Sequence, residues 1–94
     1  MIVVVLSYKV PLETVDRHRA AHIAWLQDLY ADGVMLASGR QTPPTGGVLL
    51  MRGTLVEAEV LCQSDPFARE GIADYHFIDV IPTMTAPGLE GLMG

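Results

Sequence analysis

Ile2-Val3-Val4-Val5-Leu6, a run of mostly β-branched residues that ends near Tyr8, decides how this chain folds. β-branched side chains favour extended backbone, and an apolar run without alternation is typical of a strand buried on both faces. The run therefore predicts a central strand of a sheet. Pro11 follows it and suits the start of a helix.

A long helical pattern comes next, from Leu12 to about Asp32. Its apolar side, at 100° per residue, holds Val15, Ile23, Leu26, Leu29 and Tyr30. His22 lies near the middle of that apolar arc. Gly33 follows the last turn, where a helix commonly ends on a left-handed glycine. We predict one amphipathic helix with a histidine on its inner side.

The middle of the chain predicts two strands joined by a loop. The strands are residues 34–39 and 48–51, and the loop contains Thr42-Pro43-Pro44-Thr45-Gly46-Gly47. A capping box, Thr54 with Glu57, then opens a second helix that we expect to run from Leu55 to about Ser64. Asp65-Pro66 ends this helix, because the residue before proline avoids helical backbone.

A short helical turn from Pro66 to Gly71 and a last strand over residues 74–82 complete the pattern. The order β-α-β-β-α-β predicts an α+β, ferredoxin-like split βαβ fold with both helices on one sheet face. A second copy packed sheet against sheet would cover the other face and form a dimeric α/β barrel. We expect a homodimer or a larger assembly, with a domain at 1–82 and a C-terminal arm or partly ordered tail at 83–94.

Composition narrows the class of protein. Half of the 94 residues are hydrophobic and only 18% are charged, which also favours an apolar surface covered by another subunit. The net charge is −5 and the six basic residues are scattered, so we expect no nucleic-acid partner. We predict a cytoplasmic protein without a signal peptide or membrane contact. The single cysteine, Cys62, fits a buried and unreactive thiol.

His22 and Asp65 are the first candidates for chemistry. A histidine on an apolar helix face needs partners for its ring nitrogens, either a backbone carbonyl or a carboxylate that readies it as a general base. Asp65 fits an N-cap for the Pro66 turn. The two helices lie side by side in a split βαβ fold, so Asp65 could also reach His22. Both interpretations of each residue stay open at this point.

Other candidates are weaker. His18 and His22 share a helix face, but a zinc site needs three or four ligands, and the sequence offers neither an HExxH pattern nor a cysteine cluster. His76 would complete a metal site only by facing the helices. Ser38-Gly39, at the end of the second strand, could bind a substrate oxygen or simply end the strand. Trp25 lies at the edge of the apolar arc, where it could line a pocket mouth or face a partner.

These residues together resemble the YciI-like (YCII-related) family, from Ile2 to about Pro82. The resemblance rests on Arg19-Ala20-Ala21-His22-Ile23-Ala24-Trp25-Leu26, Leu36-Ala37-Ser38-Gly39, Gly46-Gly47 and Ser64-Asp65-Pro66-Phe67 with Gly71. Asp65-Pro66-Phe67 at this distance from His22 is the most specific part. The tail after Pro82 lies outside the pattern.

The resemblance implies a dimeric ferredoxin-like fold with a pocket around a His22–Asp65 pair. It points to a cofactor-free lyase or hydrolase acting on a small organic molecule, with aromatic compounds among the candidates, since one branch of the family resembles dehydrochlorinases of chlorinated hydroxyhydroquinones. Catalytic residues would be His22, Asp65 and Ser38; substrate-binding residues would be Gly39, Phe67 and Trp25; no metal is expected. The alternatives are a small-molecule-binding module without catalysis and a monooxygenase-like dimeric α/β barrel protein.

Overall fold

A four-stranded antiparallel sheet with helices on one face forms the body of the protein. The computed structural model describes all residues from Met1 to Gly94. The elements are β1 (Ile2–Tyr8), α1 (Leu12–Ala31), β2 (Met35–Arg40), β3 (Gly46–Met51), α2 (Leu55–Cys62), α3 (Pro66–Arg69) and β4 (Ala73–Asp79), with a 3₁₀ turn at Glu90–Met93. The strand order is β2-β3-β1-β4. This is the ferredoxin-like α+β fold that the sequence predicts.

β1 is a central strand, as predicted, because it pairs with both β3 and β4. Its burial differs from the prediction. Ile2, Val4 and Leu6 are buried in the core, whereas Val3 and Val5 are only half-buried on the other face. The expectation of burial on both faces is therefore wrong for a single chain. An apolar run shows that both faces of a strand are suited to burial. In a single chain the helices cover only one side of the sheet, so the other face stays partly exposed.

The core lies between the sheet and the helices. It consists of Ile2, Val4, Leu6, Val15, Leu29, Met35, Leu49, Met51, Ala58, Cys62, Phe67, Ile72 and Ala73. Cys62 is buried, and burial raises the pKa of its thiol from 9.0 to about 12, with a further contribution from the charge of Asp65. The prediction of an unreactive thiol agrees with this environment.

Local signals set the helix ends. Thr54 and Glu57 form the predicted capping box at the start of α2. Gly33 follows α1 with a φ of 77°, a backbone conformation that glycine adopts without steric cost. α2 ends at Cys62, before the predicted Ser64, because the chain already turns toward Asp65, whose ψ of 128° is extended.

β4 begins at Ala73 and ends at Asp79, three residues short of the prediction. Val80 still exchanges two backbone hydrogen bonds with Met1, both at 2.9 Å, and pairing then ends because β1 offers no further residue. The segment after Pro82 contains no strand. Its 3₁₀ turn brings Leu92 and Met93 close to Leu36 at the end of the sheet. The division into a domain at 1–82 and an arm at 83–94 stays a prediction.

None of the helices combines the length and the apolar character needed to cross a membrane.

Candidate active site

A cavity of about 180 Å³ opens between α1 and the inner face of the sheet. Its walls come from α1, α3 and the strands β1, β2 and β3. Four of the six predicted site residues line it, namely His22, Ser38, Gly39 and Phe67. The sequence patterns that were individually weak therefore converge on one space.

His22 and Asp65 are in direct contact. Nδ1 of His22 lies 2.8 Å from Oδ1 of Asp65. The His22 side chain retains 12% exposure, whereas Asp65 is completely buried. The other ring nitrogen of His22, Nε2, has no hydrogen-bond partner within the chain. Because no buried side-chain nitrogen or oxygen lacks such a partner, Nε2 is exposed to solvent or to the cavity. Because His22 lines the cavity, this second nitrogen is available to a ligand there.

Asp65 serves as a helix cap and as a histidine partner at the same time. Its Oδ1 accepts hydrogen bonds from the backbone N–H of Phe67, at 3.0 Å, and from His22. The N-cap interpretation and the pairing interpretation are thus both correct in geometry. The alternative in which His22 bonds a backbone carbonyl is wrong. A buried carboxylate needs several donors to offset its lost hydration, and Asp65 has them.

Tyr75 is the donor that sequence analysis missed. Its hydroxyl donates to Oδ2 of Asp65, so that the carboxylate lies between Tyr75 and His22. Burial raises the pKa of Tyr75 above its ordinary value of 10.0, and the hydrogen bond to Asp65 raises it further. The alternation of β4 was the available signal, because a tyrosine on an inward strand position needs a partner for its hydroxyl.

Aromatic rings hold the imidazole of His22 in place. The Phe67 ring stacks on it with centroids 4.0 Å apart and planes only 2° from parallel. Trp25 lies 5.9 Å from the imidazole, and its indole N–H donates to Ser64 at 3.1 Å. Trp25 does not line the cavity. Trp25 instead packs against His22, which precedes it by one helical turn, and its contact with substrate stays a prediction.

A β-bulge decides which way the end of β2 faces. Met35 pairs with Met51, but Ala37 pairs with Leu50, so Leu36 is an extra residue between them. Side chains alternate along a strand, so the extra residue reverses the alternation of everything after it. Ser38 consequently pairs with the inward-facing Leu49 and joins the cavity wall.

Ser38 does not hydrogen-bond to His22. Its hydroxyl lies 2.7 Å from the hydroxyl of Tyr30 on α1. The arrangement therefore lacks the serine-to-histidine contact of a Ser–His–Asp triad. Ser38 instead offers a polar group on the cavity wall opposite the helix.

Two arginines on the cavity wall also escaped the sequence analysis. Arg19 comes from α1, and Arg40 comes from the end of β2. Asp16 lies 2.8 Å from Arg19, and their hydrogen bond raises the pKa of Arg19. Arg40 makes no ion pair. The spacing of three residues from Arg19 to His22 was a usable signal, whereas the inward placement of Arg40 depends on the bulge.

The histidines do not form a metal site. His76 pairs with Val5, on the sheet face away from α1, so it cannot join His18 and His22. No group of three or more histidine, cysteine, aspartate or glutamate side chains lies close enough to hold a metal ion.

The chain is a ferredoxin-like α+β protein. It has a buried aspartate behind a histidine that lines a cavity. The YCII-related domain model matches residues 1–81. The chain therefore belongs to the YCII-related family, as the resemblance implied.

A comparison with solved structures supports the fold. The 5-chloro-2-hydroxyhydroquinone dehydrochlorinase of Burkholderia phenoliruptrix AC1100, solved in complex with 2,5-dihydroxybenzoquinone, has a similar structure with a TM-score of 0.70. The alignment covers 85% of this chain and 93% of that one, at 22% identity. No curated protein matches the chain in sequence. The structural likeness at this identity concerns the fold.

Proposed function

We propose that this protein is a cofactor-free enzyme that uses His22 and Asp65 for acid–base chemistry on a small cyclic organic molecule. One observation carries the proposal. Nδ1 of His22 is bound to a buried carboxylate, while Nε2 is left without a partner beside a cavity. A base must be oriented and still have a free lone pair, and this geometry supplies both.

The contact with Asp65 favours one tautomer of the neutral imidazole. An ionised carboxylate only accepts hydrogen bonds, so the neutral His22 donates through Nδ1–H to Asp65 and keeps its lone pair on Nε2. When Nε2 takes a proton, the buried charge of Asp65 stabilises the imidazolium. The hydrogen bonds from Tyr75 and from the Phe67 amide fix the orientation of the Asp65 carboxylate toward His22.

Elimination is the reaction that this arrangement supports best. His22 takes a proton from the substrate, and the electron pair of the broken bond forms a new double bond. A leaving group such as chloride departs with the electron pair of its own bond. The imidazolium then returns its proton to water, so the reaction needs neither oxidant nor reductant. When Tyr30 donates to Ser38, the Ser38 hydroxyl keeps its own hydrogen and would donate it to the substrate oxygen on which negative charge develops.

A serine-nucleophile hydrolase fits the geometry less well. The hydroxyl of Ser38 lies 2.7 Å from the hydroxyl of Tyr30 and forms a hydrogen bond with it. The only hydrogen bond of the His22 imidazole within the chain is the one to Asp65. Activation of a nucleophile requires a direct contact between the nucleophile and its base. We therefore place the lyase reaction ahead of hydrolysis.

The test is turnover of 5-chloro-2-hydroxyhydroquinone, related chlorinated hydroquinones and chlorinated monocyclic carboxylic acids, with chloride release as the readout. We expect His22→Gln to lower kcat by roughly 10²–10⁴-fold, the usual contribution of a general base. Asp65→Asn should lower kcat as well. Circular dichroism and thermal unfolding would verify that each variant is folded.

His18→Gln is the matched control, because His18 lies one turn earlier on α1 and does not line the cavity. It should retain the activity of the natural chain. Undiminished turnover in folded His22→Gln would contradict the proposal. Recovery of every bound test compound unchanged would instead indicate a binding module without catalysis.

We also propose that the protein acts as a homodimer in the cytoplasm. The half-buried outer face of β1 supports the dimer, because a second copy would complete the burial of Val3 and Val5. The cytoplasmic location rests on the sequence alone.

A further inference from the structure

The charged side chains that line the cavity are opposite in sign to the net charge of the chain. The chain has eleven acidic and six basic residues, for a net charge of −5. Two of the six basic residues, Arg19 and Arg40, line the cavity beside His22, and no aspartate or glutamate does so. A local concentration of positive charge in a concave, partly apolar space attracts anions despite the acidic chain.

Of the two arginines that line the cavity, Arg40 is the one whose side chain has no partner within the chain. Arg19 is compensated in part, since Asp16 accepts two hydrogen bonds from its guanidinium, at 2.8 and 3.2 Å. Arg40 forms neither an ion pair nor a side-chain hydrogen bond within the chain. The bulge at Leu36 places Arg40 in register with Gly47 and Leu6, on the inner side of the sheet. Arg40 is exposed, and its five N–H donors have no partner within the chain, so a ligand in the cavity could accept from them.

The size of the cavity limits the ligand. An apolar cavity of roughly 150 Å³ accommodates one benzene ring. A space of about 180 Å³ thus suits a single six-membered ring with small substituents. Leu6, Ile23, Leu26 and Leu49 provide apolar walls for such a ring, and Phe67 provides an aromatic one.

We propose that the ligand of this cavity is a small monocyclic organic acid, bound as its carboxylate by Arg40 with support from Arg19. This inference rests on the proposed function, because it names the substrate class of the site where His22 acts. A guanidinium fork matches the two oxygens of a carboxylate, and such charge-assisted pairs combine affinity with orientation. Holding the acid group at the arginines would leave the ring within the part of the cavity that His22 lines.

The experiment compares two ligands of nearly the same shape, 4-hydroxybenzoate and the neutral 4-hydroxybenzamide. Binding is measured by ¹H–¹⁵N NMR titration of the full chain at low ionic strength, where charge pairs are least screened. We expect the carboxylate to bind at least about tenfold more tightly, with shifts at residues lining the cavity. Arg40→Gln should reduce the preference to about threefold or less, and Arg40→Lys should give an intermediate value.

Arg69→Gln is the matched control, because Arg69 is exposed and lies outside the cavity. The titrations are repeated in His22→Gln. A carboxylate preference that persists there, without any turnover in the natural chain, would keep this inference while removing the proposed catalysis.

Four outcomes would overturn the inference. Equal affinity for the acid and the amide would remove the anionic requirement. Undiminished preference in folded Arg40→Gln would remove the assigned residue. Inorganic phosphate that binds as tightly as 4-hydroxybenzoate, or no binding of either aromatic compound in the millimolar range, would remove the ring-bearing acid.

Discussion

Tyr75 donates its hydroxyl hydrogen to the carboxylate oxygen of Asp65 that His22 leaves free. The contact joins β4 to the segment between α2 and α3, and through Asp65 it reaches α1. Three separate parts of the chain thus meet at one buried carboxylate. The orientation of His22 therefore depends on the packing of the whole helical layer against the sheet.

The hydrogen bonds of Asp65 predict a large stability effect. Asp65→Ala removes a helix cap and leaves the Phe67 amide, Tyr75 hydroxyl and His22 ring without their acceptor. We expect the free energy of unfolding to fall by roughly 2–4 kcal/mol, measured by urea denaturation. Asp74→Ala, at an exposed surface pair with Lys9, should change it by less than about 1 kcal/mol. Equal losses of unfolding free energy in the two variants would contradict the inference that the hydrogen bonds of Asp65 stabilise the fold.

Alkaline pH should destabilise the fold through two buried groups. Burial raises the pKa of Cys62 from 9.0 to about 12 and the pKa of Tyr75 above 10.0. The unfolded chain therefore loses these protons first, and the free energy of unfolding falls as pH rises above 9.0. Each group contributes a slope of up to about 1.4 kcal/mol per pH unit.

Urea denaturation at several alkaline pH values measures this slope. Cys62→Ala should remove the part that begins near pH 9, and Tyr75→Phe the part that begins near pH 10. A natural chain whose stability stays constant through this range would show that neither group is protonated preferentially in the folded state.

Gly46 marks a close approach between two strands. A Cβ atom there would lie only 1.7 Å from the carbonyl oxygen of Leu6, which belongs to the backbone of β1. Gly46→Ala must separate β1 from β3, so we expect a loss of at least about 2 kcal/mol in thermal or urea unfolding. Gly39→Ala is the control, because no atom lies within 4 Å of its Cβ position. Similar stability of the two variants would refute this account of the strand contact.

A charged residue on the outer face of the sheet should prevent the proposed dimer from forming. Ile78 pairs with Val3 on that face and is 42% exposed in a single chain. Ile78→Glu would place a charge in the proposed sheet-to-sheet interface, so we expect monomers by light scattering coupled to gel filtration. Val56→Glu, at a position 69% exposed on α2, should leave the dimer intact. A natural chain that is already monomeric would exclude the proposed dimer.

The secondary-structure elements and their order can be predicted from local sequence signals. The capping box of Thr54 and Glu57, the glycine at position 33 and the break at Asp65-Pro66 act through neighbours a few residues away, so their effects can be predicted from local sequence. The order of these elements then restricts the topology to the ferredoxin-like arrangement. The predicted meeting of His22 and Asp65 followed from this topology and from the family resemblance.

The chemistry around that pair depends on how the elements pack together. The bulge at Leu36 reverses the alternation of β2 and directs Ser38 and Arg40 toward the helices, and it depends on the pairing of β2 with β3. Tyr75 reaches Asp65 because β4 lies beside the segment that precedes α3. Register and packing join residues that are distant in the chain, and no local pattern encodes them. The element order thus came from short-range hydrogen bonds, whereas the charge and shape of the cavity came from long-range contacts.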